Sequence, residues 1–372
     1  MSRPGSEARL RYGLKGPSAG LYVVALLALC QFAISAVVPV SLVYNYRMDY
    51  IVVKDNLANV GATLDLLARD IKEKGLTDYL LLLGDSVAYS GPGGPSQSLS
   101  RFMNDVASSE ALPTVYNLAI PAAQMGDFYT MLLMLDERGI STDHVALNLI
   151  YAGFVARDPD PPIVYWLERE LRRLDPAAYL EVAGDLARSQ ENKDRPTRFE
   201  SFLEYEVYSR IPVLKYRDFA RAAIERRLGA QNQETGDPRA WFEKPYLKDA
   251  LTGPVYERLF DPAPLALDSS NLNVTFLSRI MDHQNDKDLL LYMSPLNKTL
   301  MSEETSAPGF IRSMASLNEF LDDMARERGF TYVDLSDAVP HELFSDHMHL
   351  IPEGYNLLST VLWQKIGLAR WF

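Results

Sequence analysis

The sequence predicts an α/β protein: a doubly wound parallel sheet between helices, carrying one helical insertion and preceded by a transmembrane helix. Three observations carry that expectation. Short apolar runs alternate with helical patterns through most of the chain, the alternation lapses between Arg157 and Leu265, and Gly20–Tyr44 contains no charged residue. Short buried runs separated by helices are the pattern of parallel strands joined by right-handed crossovers.

The elements follow in order. Residues 20–44, "GLYVVALLALCQFAISAVVPVSLVY", are expected to form a helix long enough to cross a hydrocarbon core of roughly 30 Å with some tilt. Arg3, Arg9, Arg11 and Lys15 precede it against a single Glu7, so the positive-inside rule puts the N-terminus in the cytoplasm and everything after the span outside. Tyr22 near one end and Tyr44 and Tyr46 near the other suit interfacial aromatics. A cleaved signal peptide has a shorter apolar core, roughly 7–15 residues, which favours an anchor. Bulky Leu29 before Cys30 and the continuing apolar run speak against lipidation of that cysteine. Ile51, Leu57, Val60, Leu64, Leu67 and Ile71 then recur at helical spacing up to Gly75, which predicts a juxtamembrane helix with a glycine stop.

Strands are expected at Tyr79–Leu83, Thr114–Leu118, His144–Ile150, Asp288–Met293 and Thr331–Leu335. Helices are expected near Gln97–Ala107, Gln124–Glu137, Gly309–Glu327 and Glu353–Ile366. The region between Arg157 and Leu265 is rich in tyrosine and arginine and has helical patterning. At roughly 110 residues it is too long for a loop, so a helical cap or docking subdomain is expected. The expected organisation is a cytoplasmic tail (1–19), the transmembrane helix (20–44), a juxtamembrane helix and linker (45–75), the α/β/α domain (76–156 and 266–372) and the inserted helical subdomain (157–265).

The chain of 372 residues is 47% hydrophobic and 23% charged, ordinary for a folded protein. Its net charge of −12 argues against a nucleic-acid partner, since no broad phosphate-neutralising surface is supplied. The single cysteine excludes an intrachain disulfide and leaves the redox compartment open.

Chemistry enters at "YLLLLGDSVAYS", where a buried-strand pattern stops at Gly84-Asp85-Ser86. Ligands collect at the carboxyl ends of parallel strands, so Ser86 is expected at the mouth of the sheet. Alone, such a serine is more often a turn or helix-cap residue. The far end of the chain alters that balance. In "FSDHMHLIPEGYNLL", Asp346 and His349 stand three apart, beyond the last strand and before the last helix. A serine hydroxyl needs a base within hydrogen-bond reach, and the base needs an orienting group. His349 and Asp346 fill those roles if the two rims meet.

These blocks resemble the SGNH (GDSL-type) hydrolase superfamily, with its flavodoxin-like α/β/α fold, a nucleophile after the first strand and a late Asp-x-x-His. The resemblance covers Leu80–Ser86, Tyr116–Ala123, Asn148–Gly153 and Asp346–Gly354. It implies catalytic Ser86, His349 and Asp346, with the oxyanion held by the N–H groups of Ser86 and Ala122. Ala122, in "YNLAIPAAQ", stands where the family has glycine. The family's third block supplies an asparagine after the third strand, but Ile150–Gly153 has none. Asn148, on the strand in "ALNLIYAGF", is the nearest candidate for that donor, and Tyr151 is a possible substitute. Asn117 and Tyr151 are the candidate substrate-binding residues, with a buttress of the second block the alternative for Asn117 and a packed tyrosine the alternative for Tyr151.

Divergent third blocks also occur in membrane-anchored relatives that O-acetylate alginate or cellulose or D-alanylate teichoic acid. The stretch "LLLYMSPLNKTL" is similar to a P-x-N strand end in the last of these. The resemblance therefore implies an extracytoplasmic serine O-acyltransferase at the cytoplasmic membrane. Its acceptor would be a polysaccharide or teichoic-acid-like polymer, and its acyl donor would come from a membrane-bound O-acyltransferase partner. A tethered esterase and a non-catalytic scaffold of an export complex are the alternatives. No cofactor is called for. His341, His347, His349 and Asp346 lie close enough in sequence for a metal, but no distant ligand accompanies them and no metal site is assigned.

Overall fold

A computed structural model of the chain describes residues 20–26, 28–29, 38–155, 160–189, 198–229, 236–252, 256 and 259–372. Five strands form one parallel sheet in the order β2-β1-β3-β4-β5: β1 Tyr79–Leu83, β2 Thr114–Asn117, β3 His144–Leu149, β4 Asp288–Met293 and β5 Thr331–Asp334. Each coincides with an apolar run singled out above, give or take one residue. The chain adds β2 on one side of β1 and β3 on the other, so the strand order reverses beside β1. That reversal opens a crevice at the carboxyl ends of β1 and β3.

Strand alternation sorts the side chains into two cores. Leu81, Leu83, Val145, Leu147, Leu289 and Leu291 face one layer of helices, while Leu80, Leu82, Ala146, Leu290 and Tyr292 face the other. The first layer holds α1 Ala58–Lys74 and the second α2 Leu99–Glu110, followed in the chain by α3 Met125–Glu137, which packs with the first. All five residues of β1 are buried, and each leucine there contributes roughly 1.5–3 kcal/mol of burial. The doubly wound α/β fold is thus present.

The N-terminal boundary moves. The expected juxtamembrane helix is broken at Asn56 into a short helix, Tyr50–Asp55, and α1. α1 buries Val60, Leu64, Leu67 and Ile71 and stops at Gly75, whose φ of +63° suits glycine. It is a layer of the sandwich and not a linker. The far end of the expected span belongs to the domain too: Val43 is 1% exposed, Tyr44 packs on Tyr116, and the Tyr44 hydroxyl accepts a hydrogen bond from the Asn117 N–H at 2.7 Å. Side chains in this core cannot also face lipid, so 20–44 cannot all be membrane helix. Residues 20–26 and 28–29 are helical, with Leu21, Tyr22 and Leu26 exposed. Residues 27 and 30–37, and the cytoplasmic tail 1–19, lie outside the described residues. Among the described residues no helix is long and apolar enough to cross a membrane.

After Tyr44 the chain runs along the free edge of β2, where Arg47 pairs with Asn117. Arg47 is 2% exposed and donates to the carbonyls of Tyr89, Ser90 and Gly93 at 2.9, 2.5 and 2.9 Å, with its guanidinium over the Tyr89 ring. It therefore secures the turn that follows Ser86. Arg47→Met removes the donor from the Tyr89 and Ser90 carbonyls and is expected to destabilise the protein by about 2–4 kcal/mol. A denaturant midpoint unchanged from the unmodified chain would refute that.

The described part of 157–265 is helical, with α4 Glu168–Leu174, α5 Pro176–Arg188 and α6 Arg217–Arg227. Its start is stitched to α3 by Asp127, whose carboxylate accepts the N–H groups of Gln124, Tyr165, Trp166 and Leu167 at 2.8–2.9 Å. The α/β pattern then resumes with α7 Leu272–His283, α8 Pro308–Glu327 and α9 Pro352–Ala369.

Candidate active site

β1 ends at Leu83, and Gly84 and Asp85 turn the chain into a four-residue helix, Ser86–Tyr89. Asp85 caps that helix, its Oδ1 accepting the Val87 N–H at 2.9 Å. Ser86 thus begins the helix at the carboxyl end of β1, half-buried, with no intrahelical acceptor for its own N–H. From the other end of the chain, the loop after β5 brings His349 beside it. The His349 Nε2 lies 2.8 Å from the Ser86 Oγ, and the His349 Nδ1 lies 2.8 Å from the Asp346 Oδ2. The Asp346 Oδ1 also accepts the N–H groups of Met348 and His349, at 2.9 and 2.7 Å, which fixes the loop as a tight turn. The two side chains are recessed but reachable, 20% and 23% exposed.

Charge within the group is distributed to suit a base. Burial alone would lower the proton affinity of His349. The Asp346 charge and hydrogen bond outweigh it, Asp85 adds to them, and the imidazole pKa lies above its usual value. Burial likewise works to raise Asp346, but the facing His349 holds its carboxyl well below the usual carboxylate range. Burial pushes His347 down to about 4, which keeps that ring neutral. His347 packs edge-on against Tyr256 and Phe260, and among the described residues no three His, Cys, Asp or Glu side chains converge as metal ligands.

The second block approaches through the Ile120 N–H, which donates to the Gly84 carbonyl at 3.1 Å. Ala122 has φ +64°, so it keeps the left-handed conformation that glycine favours while carrying a methyl group. Among the described residues none accepts a hydrogen bond from the Ala122 N–H. Among the described residues, the N–H groups of Ser86 and Ala122 both lack an acceptor.

Three candidate residues are engaged in the scaffold and not at the serine. Asn148 is 1% exposed and both its amide hydrogens are taken, by the Asp85 Oδ1 at 2.9 Å and the Ser294 Oγ at 3.1 Å. Its Oδ1 accepts the Asp85 N–H at 2.8 Å. It holds the turn beneath the serine and has no donor left for an oxyanion. Asn117 is fully buried, donating to the Ala88 carbonyl and accepting the Ala119 N–H, so it braces the loop and cannot meet a substrate. The Tyr151 hydroxyl donates to the Asp261 carbonyl at 2.7 Å and its ring packs on Phe310, so its hydroxyl is not a third oxyanion donor.

Two supports of the histidine loop were not foreseen. Asn297, from the P-x-N strand end, donates its backbone N–H to the His347 carbonyl and its side chain to the Asp346 carbonyl. Lys244, from the insertion, grips Ser345 on that loop. The first carried a sequence signal, the strand-end motif. Lys244 carried none, being one lysine in a region read for its helical pattern and its tyrosine and arginine content. An apolar pocket of about 30 Å³ opens between the ends of β3 and β4, lined by Ile150, Tyr151, Ala152, Met293, Ser294 and Met348 among others.

No protein-family model and no curated protein matches the sequence. Among solved structures, a carbohydrate acetylesterase family member from Sinorhizobium meliloti aligns with 78% of this chain and 100% of its own length, at 9% identity and a TM-score of 0.33. So loose a likeness leaves the chemistry to be argued from the site itself.

Proposed function

We propose that this chain is a serine acyl-ester enzyme of the SGNH kind that works through an acyl-Ser86 intermediate and passes a small acyl group, acetyl above all, to a hydroxyl of a cell-surface or exported polysaccharide. The observation that carries the reading is the 2.8 Å approach of the His349 Nε2 to the Ser86 Oγ, with Asp346 behind the ring. His349 takes the serine proton as Oγ attacks the acyl carbonyl. The free N–H groups of Ser86 and Ala122 receive the developing oxyanion. Collapse expels the donor's leaving group, protonated by His349. An acceptor hydroxyl then gives its proton to His349 and attacks the acyl-serine carbonyl. The bond to the Ser86 Oγ breaks, His349 returns the proton to Oγ, and the new ester departs.

Acetyl is favoured by the resemblance of the sequence blocks to polysaccharide O-acetylating relatives. Transfer is favoured over hydrolysis by tethering. The apolar stretch that precedes the core is the tether in this reading, shorter than the 20–44 span first expected because Val43 and Tyr44 are buried in the domain. It holds the domain outside the cytoplasmic membrane, where an emerging polymer has a raised effective concentration and a membrane-bound O-acyltransferase supplies the acyl group.

The test is covalent. A fluorophosphonate is expected to label Ser86, and an activated acetyl ester to leave an acetyl adduct visible by intact mass spectrometry. Both should vanish in Ser86→Ala. Adding an oligosaccharide acceptor should convert free acetate into acetylated sugar, whereas unchanged acetate release would make the protein a tethered esterase. A folded chain that neither reagent modifies would end the proposal and leave a scaffold.

A further inference from the structure

Lys244 belongs to the inserted segment and is 5% exposed. Lysine is rarely buried without a charged partner, because removing an ammonium from water is costly. Here all three ammonium protons go to neutral oxygens: the Asp237 carbonyl at 2.7 Å, the Ser345 carbonyl at 2.9 Å and the Ser345 Oγ at 2.7 Å. Ser345 is the residue before Asp346, and its N–H donates to the His349 carbonyl at 2.7 Å. The same stretch makes two more bonds to this part of the chain. The Trp241 N–H donates to the Phe344 carbonyl at 2.9 Å and the Trp241 indole to the His341 carbonyl at 2.8 Å. The loop is therefore clamped between Asn297 on one flank and residues 237–244 on the other.

We propose that Lys244 is a positioning residue for the Ser86 relay: it fixes the Asp346–His349 loop through Ser345, which makes the insertion part of the catalytic apparatus and not merely a cover or docking surface. The inference rests on the acyl-serine reading above. A lysine that only glued the insertion to the domain would affect stability alone. A positioning lysine also affects the rate and its dependence on pH. The groups facing His349 are Asp346 and His347 on its own loop, Asp85 from the end of β1, and Lys244 from the insertion. The first and third raise its proton affinity, and Lys244 lowers it.

The experiment measures kcat and KM for p-nitrophenyl acetate, and the rate of fluorophosphonate labelling, across pH in four chains: unmodified, Lys244→Met, Lys244→Arg and Ser345→Ala. Lys244→Met is expected to lower kcat about 10–100-fold with KM little changed, the loss that an ångström-scale misplacement produces. Its acid limb should move to higher pH, because a cation near the imidazole is gone. Lys244→Arg keeps the charge but not the fit, so it should lose rate while its limb stays in place. Ser345→Ala, which keeps both carbonyl contacts of the ammonium, should lose a few-fold. A folded Lys244→Met with unchanged kcat and acid limb overturns the proposal. If that variant does not fold, Ser345→Ala at full rate overturns it instead. An unmodified chain that resists the phosphonate overturns the acyl-serine reading, leaving Lys244 no relay to position.

Discussion

Replacing Asp346 with asparagine is expected to lower kcat about 10⁴-fold, and replacing His349 with alanine to lower it about 10⁶-fold. The first loss is electronic as much as steric. Asp346 binds the His349 Nδ1 at 2.8 Å and so fixes which ring nitrogen faces Ser86. An asparagine amide can satisfy Nδ1 with the wrong tautomer, presenting Nε2–H to a hydroxyl that must give up its proton. The pH profile separates this from misfolding. His349 accepts a proton only when neutral, so activity rises with pH through its pKa, which Asp346 holds above the ordinary value of about 6.5. Without that negative charge the imidazole binds its proton less tightly. The acid limb of Asp346→Asn should therefore shift to lower pH while the plateau falls. A limb left in place would mean that Asp346 does not face the working base.

The three inner strands were legible because each is a short, mostly apolar run buried on both faces, as in the four successive leucines of β1. The edge strands β2 and β5 are half polar and were legible chiefly from their place in the alternation with helices. The meeting of Ser86, His349 and Asp346 was legible because an ester-cleaving relay would need those residue types at those strand ends. The supports were not. Asn148 was read as an oxyanion donor since it is the only asparagine near the third strand end, yet register brings it level with Gly84, where the empty side of a glycine receives its amide. Asn117 read equally as a buttress of the second block or as a cleft residue, and it is the buried buttress. The apolar run to Tyr44 looked continuous because hydropathy does not distinguish side chains facing lipid from side chains facing a core. Val43 and Tyr44 belong to the core. Lys244 depends on a contact between residues about a hundred positions apart, which no local pattern encodes.

The glycine of the nucleophile turn gives the second large effect. A Cβ at residue 84 would stand 1.5 Å from the Asn148 Oδ1 and 2.8 Å from the Ala88 Cβ. Asn148 has nowhere to go, because its oxygen holds the Asp85 N–H and its nitrogen holds the Asp85 Oδ1 and the Ser294 Oγ. Gly84→Ala must then break this buried set or shift the turn that carries Ser86. A destabilisation of roughly 3–5 kcal/mol is expected by denaturant unfolding. Phosphonate labelling should slow by about 100-fold or more in whatever folded protein remains. The explanation makes a sharper demand on the pair. Asn148→Ala alone leaves the Asp85 N–H without its acceptor and is itself costly. Combined with Gly84→Ala, however, it opens the space the new methyl needs. The double variant should then be more stable than the sum of the single losses by more than about 1 kcal/mol. Strict additivity would show that the glycine is required for some reason other than the amide lying across it.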